Sequence, residues 1–252
     1  MLEIISLAVT LLTGRHVPRH KRLTRADVAR TVGILPLLGG LLAVIPIASF
    51  LISQRMWSGR PMIGAAIYVV TELIVNQCRG TSALAKTADA VSAYLAGGGK
   101  SAVSTIMRDE HRGTIGVISV VVAVMLKFAF VATIPSAIAW QTLLISSVVG
   151  RWGTSFAFSA FHDSISHPLI DGDDLTGLSD AGPLQLLPAT ATVFVVAALL
   201  PVRGIVGCVA ACAVCVLIAN GAHRRLGGTP FVVAFGLGEL AQIAALAALT
   251  VG

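Results

Sequence analysis

Two polar segments of this chain carry the residue types that bind phosphate groups and divalent cations. Lys86 and Asp89 lie within LAKTADAV, and Asp109 lies with two arginines in IMRDEHRGTIGV. Carboxylate oxygens are ligands for hard cations such as Mg²⁺, and arginine and lysine donate charge-assisted hydrogen bonds to phosphate oxygens. The same charges are also typical of a solvated turn that anchors a helix among lipid headgroups, and on these residues alone both interpretations stay open.

A third polar segment, residues 162–180, reads HDSISHPLIDGDDLTGLSD. The spacing of Asp171, Asp173 and Asp174 would suit a hard cation if backbone carbonyls added further ligands. The segment lacks the remaining ligands of an EF-hand, and its two histidines do not have the i, i+4 spacing of a helical zinc site. We interpret it as a solvated acidic loop, with the alternative that its aspartates supply carboxylates to a site shared with Asp89 and Asp109.

Two cations lie inside or beside apolar runs. A lone Lys127 in lipid would cost a few kcal/mol unless it faced water or a partner, so Glu72 and Glu239, which also lie in apolar runs, are its predicted partners. Arg151 follows an apolar run and precedes Trp152. It is interpreted either as an interface anchor or as a phosphate ligand.

The composition determines the class of protein. Of the 252 residues, 56% are hydrophobic and 12% charged, with a mean hydropathy of +0.87. These are too few charged side chains to cover a soluble globule, so lipid must solvate much of the surface. Continuous apolar runs predict an all-α fold, a polytopic transmembrane helical bundle that forms one integral membrane domain over residues 1–252.

Apolar runs bounded by proline, glycine or charge predict about seven spans, of which the fourth and fifth are short. They cover residues 32–53, 61–78, 114–134, 136–150, 187–202, 204–221 and 231–251. Residues 1–14 are short for a span and lack the basic n-region of a signal peptide. They are predicted to form an interfacial or re-entrant helix.

The positions of lysine and arginine predict the orientation. With residues 15–31 in the cytoplasm, 14 of these cations lie in inside connections and three in outside ones. This bias predicts an inner (plasma) membrane protein whose polar segments 15–31, 79–113 and 151–186 face the cytoplasm. The bias and anionic headgroups account for the net charge of +6, so membrane lipids are predicted partners and nucleic acid is not.

The order of the motifs resembles that of the cobalamin synthase family from about residue 10 to residue 245. The resemblance rests on HVPRH, DVARTVGILPLLGG, LAKTADAV, IMRDEHRGTIGV, VGRWGTSFAF, and RRLGG followed by GLGEL. It implies a membrane transferase of cobalamin biosynthesis, adenosylcobinamide-GDP ribazoletransferase. Such an enzyme joins a GDP-activated corrinoid to α-ribazole, releases GMP and uses Mg²⁺.

The resemblance also implies roles for individual residues. The family carries H-x-D-G-x-A-D-T-x-D-G before its M-R-D segment, and its carboxylates look like Mg²⁺ ligands that hold the pyrophosphate of the activated substrate. In this chain it implies catalytic and metal-binding roles for Asp89 and Asp109, and phosphate-binding roles for Lys86, Arg108, Arg112 and Arg151.

The chain departs from the family motif at the positions that carry its chemistry. Gly80, Ser82 and Lys86 stand where the family has a histidine and two acids, so that Asp89 is the one acid of the motif that is retained. Two unit positive charges ~4 Å apart repel each other by on the order of 4 kcal/mol at an effective dielectric constant of about 20, and an ammonium beside a divalent cation would be repelled more strongly. Mg²⁺ binding is therefore predicted to be weakened, and Lys86 could itself supply positive charge to a phosphate.

Two functions stay open at this point. The first is phosphoryl-group transfer with a nucleotide-activated corrinoid or another phosphate-bearing substrate. The second is a non-catalytic homologue, a pseudoenzyme, that binds a ligand or a partner subunit in a homo- or hetero-oligomer. Because metal ligands are missing, the chain is predicted not to complete cobalamin synthesis by itself.

Overall fold

The computed structural model describes residues 1–14, 24–109, 111–160, 181–226 and 231–251. Within these ranges the regular structure is helical, and ten α-helices form it. They are α1 Leu2–Thr13, α2 Arg25–Met56, α3 Pro61–Val75, α4 Arg79–Ala93, α5 Gly99–Arg108, α6 Thr114–Thr133, α7 Ala139–Ala160, α8 Pro183–Ala197, α9 Pro201–Leu226 and α10 Phe231–Thr250.

The length and apolar composition of the helices confirm the prediction of an all-α membrane protein. Four helices, α2, α6, α9 and α10, are long and apolar enough to cross a membrane, and α3 with the helices after it can count as a fifth, bent span. The predicted number of seven spans is not reached by these criteria within the described residues and stays a prediction. The predicted N-terminal helix is present as α1, which packs on α2 and buries Leu7, Ala8, Leu11 and Leu12.

α7 lies in the centre of the bundle, where it packs against α10, α2, α8 and α9. It continues to Ala160, ten residues beyond the predicted end of the fourth span, so Arg151 lies within the helix and not at its end. Small residues allow this burial: a Cβ on Gly150 would lie 2.8 Å from Gln242 Cβ, and one on Gly153 would lie 2.9 Å from Ala241 Cβ. The predicted span ended before Arg151 because the prediction used charged residues as boundaries. A helix that is enclosed by other helices can carry polar and charged residues, so α7 continues past this position.

The predicted third span, residues 61–78, is interrupted. α3 ends at Val75, and Gln77 and Cys78 have positive φ angles of 46° and 54° before α4 begins. The axis turns by 83° across this break. As a result α4, which carries the family motif, runs across the direction of α3 and packs against α10, α6 and α5.

Candidate functional site

Three motif positions lie on one face of α4, since residues at i, i+4 and i+7 of a helix project to the same side. All three side chains hydrogen-bond to the segment Met107–Gly116, which joins α5 to α6. Arg112 Nη2 donates to Ser82 Oγ at 2.9 Å, and Lys86 Nζ donates to the Met107 carbonyl at 3.3 Å. Asp89 accepts from the backbone N–H groups of Gly113 and Gly116, each at 2.7 Å.

We call this set of contacts the α4 clamp, and its charges match the two helix ends that it holds. Asp89 lies at the N-terminus of α6, where free N–H groups carry partial positive charge, and Lys86 lies at the C-terminus of α5, where free carbonyls carry partial negative charge. Close approach requires glycine at both acceptor positions, because a Cβ on Gly113 would lie 2.6 Å from Asp89 Oδ1 and one on Gly116 would collide with Oδ2.

The second predicted carboxylate has a local role. Asp109 Oδ1 accepts from the His111 backbone N–H at 2.9 Å and lies 2.9 Å from His111 Nδ1. Asp109 thus stabilises the turn after α5, and both groups are largely exposed. The side chain of Arg108 lies outside the described residues.

A pocket of about 290 Å³ opens beside the α4 clamp and is lined by three cations, Arg79, Lys86 and Arg112. We call it the basic pocket. Gln77 and Ser82 add uncharged polar groups, and Phe231 and Phe235 form part of an apolar wall. No carboxylate lines the basic pocket among the residues that the structure describes. Its charge and size suit a phosphate-bearing group, because clustered lysine and arginine bind phosphate oxygens.

Arg79 is a site residue that the sequence analysis missed. It donates from Nη1 to the Thr10 carbonyl near the end of α1 at 3.1 Å, and its guanidinium lies 5.1 Å from the Phe235 ring centroid and 6.0 Å from that of Phe231. Contacts to a backbone carbonyl and an aromatic face hold the side chain in one orientation. A signal was present in the sequence, since Arg79 immediately precedes Gly80, the first motif position, but the partners of Arg79 lie far away in the chain.

The described residues do not fit a magnesium ion in the way that the family motif implies. No group of three or more His, Cys, Asp or Glu side chains in the described ranges could hold a metal ion. Both oxygens of Asp89 accept backbone hydrogen bonds, and Lys86 brings a positive charge to the same helix face. Asp171, Asp173 and Asp174 lie outside the described residues, so the metal roles of Asp89 and Asp109 stay predictions.

A group of buried charges lies between α3, α6 and α10. Lys127 Nζ is 3.0 Å from Glu72 Oε2 and 2.7 Å from Glu239 Oε1, and it donates to Gln242 Oε1 at 3.1 Å. Gln242 Nε2 donates to Glu72 Oε1 at 2.6 Å. We call these four residues the buried charge network. It confirms both predicted partners of Lys127 and adds Gln242, whose role depends on a helix far along the chain.

The buried charge network also explains the glycine at the first motif position. The Glu239 carboxylate occupies the space beside Gly80, so any side chain there would collide with it. Gly80 lines a small cavity together with Glu72, Lys127 and Glu239, and not the basic pocket. The absence of a side chain at Gly80 therefore leaves room for the Glu239 carboxylate.

Arg151 is buried, with 7% of its surface exposed, and lines a cavity with Glu72, Asn76 and Ser147. This burial does not fit the first of its two interpretations, an interface anchor, and the second, a phosphate ligand, stays a prediction. The structure thus brings Lys86 and Arg112 to one pocket and leaves Arg151 at another. The acidic segment 162–180 lies outside the described residues.

Comparison with known proteins gives one family. The model of the family described as cobalamin-5-phosphate synthase matches residues 5–250. An adenosylcobinamide-GDP ribazoletransferase of Geotalea daltonii is 27% identical over 90% of this chain and 89% of its own length. A protein of the same name from Pseudomonas syringae pv. syringae is 29% identical over 88% of each chain. No solved structure matches the chain significantly.

Proposed function

The chain belongs to the cobalamin-5-phosphate synthase family, and on that premise we propose that it binds a nucleotide-activated corrinoid through its phosphate groups without requiring a metal ion. The basic pocket is the site of this binding. Arg79, Lys86 and Arg112 supply the positive charge that Mg²⁺ would otherwise bring to a pyrophosphate. The relatives' name, adenosylcobinamide-GDP ribazoletransferase, supports this class of substrate.

One observation carries the proposal: three cations and no carboxylate line the basic pocket among the described residues. A divalent metal there would meet repulsion from the cations and find no carboxylate to bind, whereas a phosphate group would meet charge-assisted donors. Ser82 and Lys86 replace two acids of the motif at this pocket, so the substitutions change the ligand chemistry from a metal toward an anion.

The same substitutions lead us to propose that the chain alone transfers the corrinoid phosphoryl group slowly at best. Lysine and arginine stabilise phosphate charge but do not activate a hydroxyl or bridge two phosphates as a metal does. The chain's binding function then serves a partner subunit or a slow reaction. This proposal takes ligand binding from the second of the two functions that the sequence left open and allows at most slow transfer, which belongs to the first.

Binding is tested with detergent-purified protein by thermal unfolding in inorganic pyrophosphate or GDP. We expect stabilisation that is the same in EDTA and in Mg²⁺, because a ligand that binds only the folded state raises the unfolding temperature. Arg79→Met should remove most of this stabilisation, and the control Arg55→Gln, at an exposed position near the end of α2, should not. Stabilisation that requires Mg²⁺ would contradict the proposal.

Turnover is tested with adenosylcobinamide-GDP and α-ribazole, with the Geotalea daltonii relative assayed in parallel. We expect a rate at least 10² times lower than that of the relative, since loss of metal ligands commonly costs factors of this order or more. A comparable rate from this chain alone would refute the slow-transfer part and leave metal-free binding to be judged by the unfolding experiment.

We also propose that the basic pocket faces the cytoplasm of the inner membrane. The excess of lysine and arginine in residues 15–31 and 79–113 supports this orientation. A cysteine at position 100 in a background without other cysteines should react with an impermeant maleimide only after the cells are permeabilised. Labelling of position 100 in intact cells would contradict the orientation.

A further inference from the structure

The break between α3 and α4 lies beside the buried charge network, and its residues Gln77 and Cys78 are themselves exposed. Glu72, one turn before the break, pairs with Lys127, which is 13 residues into α6. At a rise of about 1.5 Å per residue, this places the pair roughly 20 Å from the first residue of α6. Non-helical backbone at such a depth is tolerated where it is enclosed by protein or lines water. Gln77 and Cys78, with positive φ, form this backbone.

Three cavities share lining residues at or beside the break. The basic pocket shares Arg79 with a second cavity, which is also lined by Lys127 and Glu239. The second cavity shares Glu72 and Asn76 with a third, which is lined by Ser147 and Arg151. Each of the two inner cavities has a volume of about 10 Å³, which is room for one water molecule.

Arg151 lies at the inner end, near the carboxylate of Glu72. No hydrogen bond or ion pair joins its guanidinium to another residue within the described ranges, although 93% of the residue is buried. The nearby carboxylate of Glu72 already accepts from Lys127 and Gln242. A guanidinium has five N–H donors, and no nitrogen of Arg151 is among the fully buried polar atoms without a partner in the described residues, so the Arg151 nitrogens border space that water can enter.

We propose that the two inner cavities and the break form a hydrated shaft, which admits water from the basic pocket to Arg151. The ligand is water, because the volume holds nothing larger, and the polar groups of Glu72, Asn76 and Ser147 provide the two to four partners that a buried water needs. The basic pocket is the entrance, so a phosphate group bound there closes the shaft. This second point rests on the proposed function, and the first does not.

The shaft is tested with Ag⁺, an ion of about the size of water, which reacts with a thiol that it can reach. Cys78, Cys208, Cys212 and Cys215 are first replaced by serine or alanine, and Ser147→Cys is compared with Ser146→Cys. The two serines are adjacent on α7, both are buried, and both donate to the Leu143 carbonyl, but only Ser147 lines the inner cavity. We expect Ser147→Cys to react at least tenfold faster, and equal rates would overturn the shaft.

GDP, used here because pyrophosphate precipitates Ag⁺, should slow the reaction of Ser147→Cys several-fold at a concentration that stabilises the protein, and it should not slow the reaction of a cysteine at position 100. Fast reaction without protection would overturn the basic pocket as the entrance, while stabilisation by pyrophosphate would still uphold the proposed function. If the cysteine variants fail to fold, radiolytic hydroxyl-radical footprinting of the unaltered chain replaces them. Tyr68 is 0% exposed and lies 3.4 Å from Ser147 Oγ, so the shaft predicts its rapid oxidation, and protection like that of a dry core residue would overturn it.

Discussion

Lys86 and Asp89 lie one turn apart on α4 and hold opposite ends of two neighbouring helices. Lys86 donates to the Met107 carbonyl at the end of α5, and Asp89 accepts from Gly113 and Gly116 at the start of α6. Oppositely charged side chains at i, i+3 on a helix can pair with each other. The structure instead shows that each is matched to the partial charge of a helix terminus, and this arrangement fixes the turn that carries Arg112.

Replacing Asp89 by asparagine should destabilise the fold. The amide keeps one acceptor oxygen but turns its NH₂ group toward a backbone N–H, so that one of two hydrogen bonds is lost along with the charge at the α6 N-terminus. We expect a loss of about 1–3 kcal/mol in the free energy of unfolding, measured by denaturant titration in detergent. Asp109→Asn, at an exposed turn, should cost no more than about 0.5–1 kcal/mol. Equal losses would argue against the α4 clamp.

Lys86→Asp tests whether the motif face retains the geometry of a metal site. The new carboxylate would face the α5 carbonyls and lie one turn from Asp89, so the variant should be less stable than the parent chain. Adding Mg²⁺ should restore only a small part of the loss, because Ser82 stands where the family motif has an acid and the ion would still have few carboxylate ligands. Lys86→Gln is the control, with no expected response to Mg²⁺. Full recovery of Lys86→Asp by Mg²⁺ would overturn the metal-free proposal.

Gly80→Ala should displace the Glu239 carboxylate and weaken its contact with Lys127. Overpacking at a buried site typically costs about 1–3 kcal/mol. In a Glu239→Ala background the space beside residue 80 is free, so the same substitution should cost at least about 1 kcal/mol less, a coupling that a double-mutant cycle measures. Gly221→Ala on α9 is the matched control, since a Cβ there meets nothing within 4 Å. Additive effects of Gly80→Ala and Glu239→Ala would show that the two residues do not interact.

Lys127→Met should be among the most destabilising single substitutions in this chain. It leaves the buried carboxylates of Glu72 and Glu239 without their shared cation, and removal of one partner from a buried ion pair commonly costs about 3–5 kcal/mol. Adding Glu239→Gln to Lys127→Met should restore part of the loss, because one uncompensated charge is removed. Thermal unfolding of the parent chain and both variants measures this. A double variant less stable than Lys127→Met would contradict the network.

Much of this protein was determined by the sequence alone. A composition with few charges requires lipid as solvent and helices as the spanning element, because backbone groups in lipid must be satisfied within their own segment. A lysine inside an apolar run is costly unless it faces water or a partner, and Glu72 and Glu239 were the predicted partners of Lys127 because they also lie in apolar runs. The motif face of α4 followed from helical periodicity, and the family from the order of the motifs.

The tertiary structure decided which groups those residues meet. Arg79, Lys86 and Arg112 line one pocket because the chain turns by 83° after α3, so that α4 runs across the bundle. That angle depends on the contacts of α4 with α1 and α10. In the sequence, Arg151 was expected to follow the end of a span. In the structure, Gly150 and Gly153 allow α7 to continue in close contact with α10, and Arg151 is buried as a result. Periodicity and composition describe one helix at a time, whereas the partners of a side chain depend on how distant helices pack.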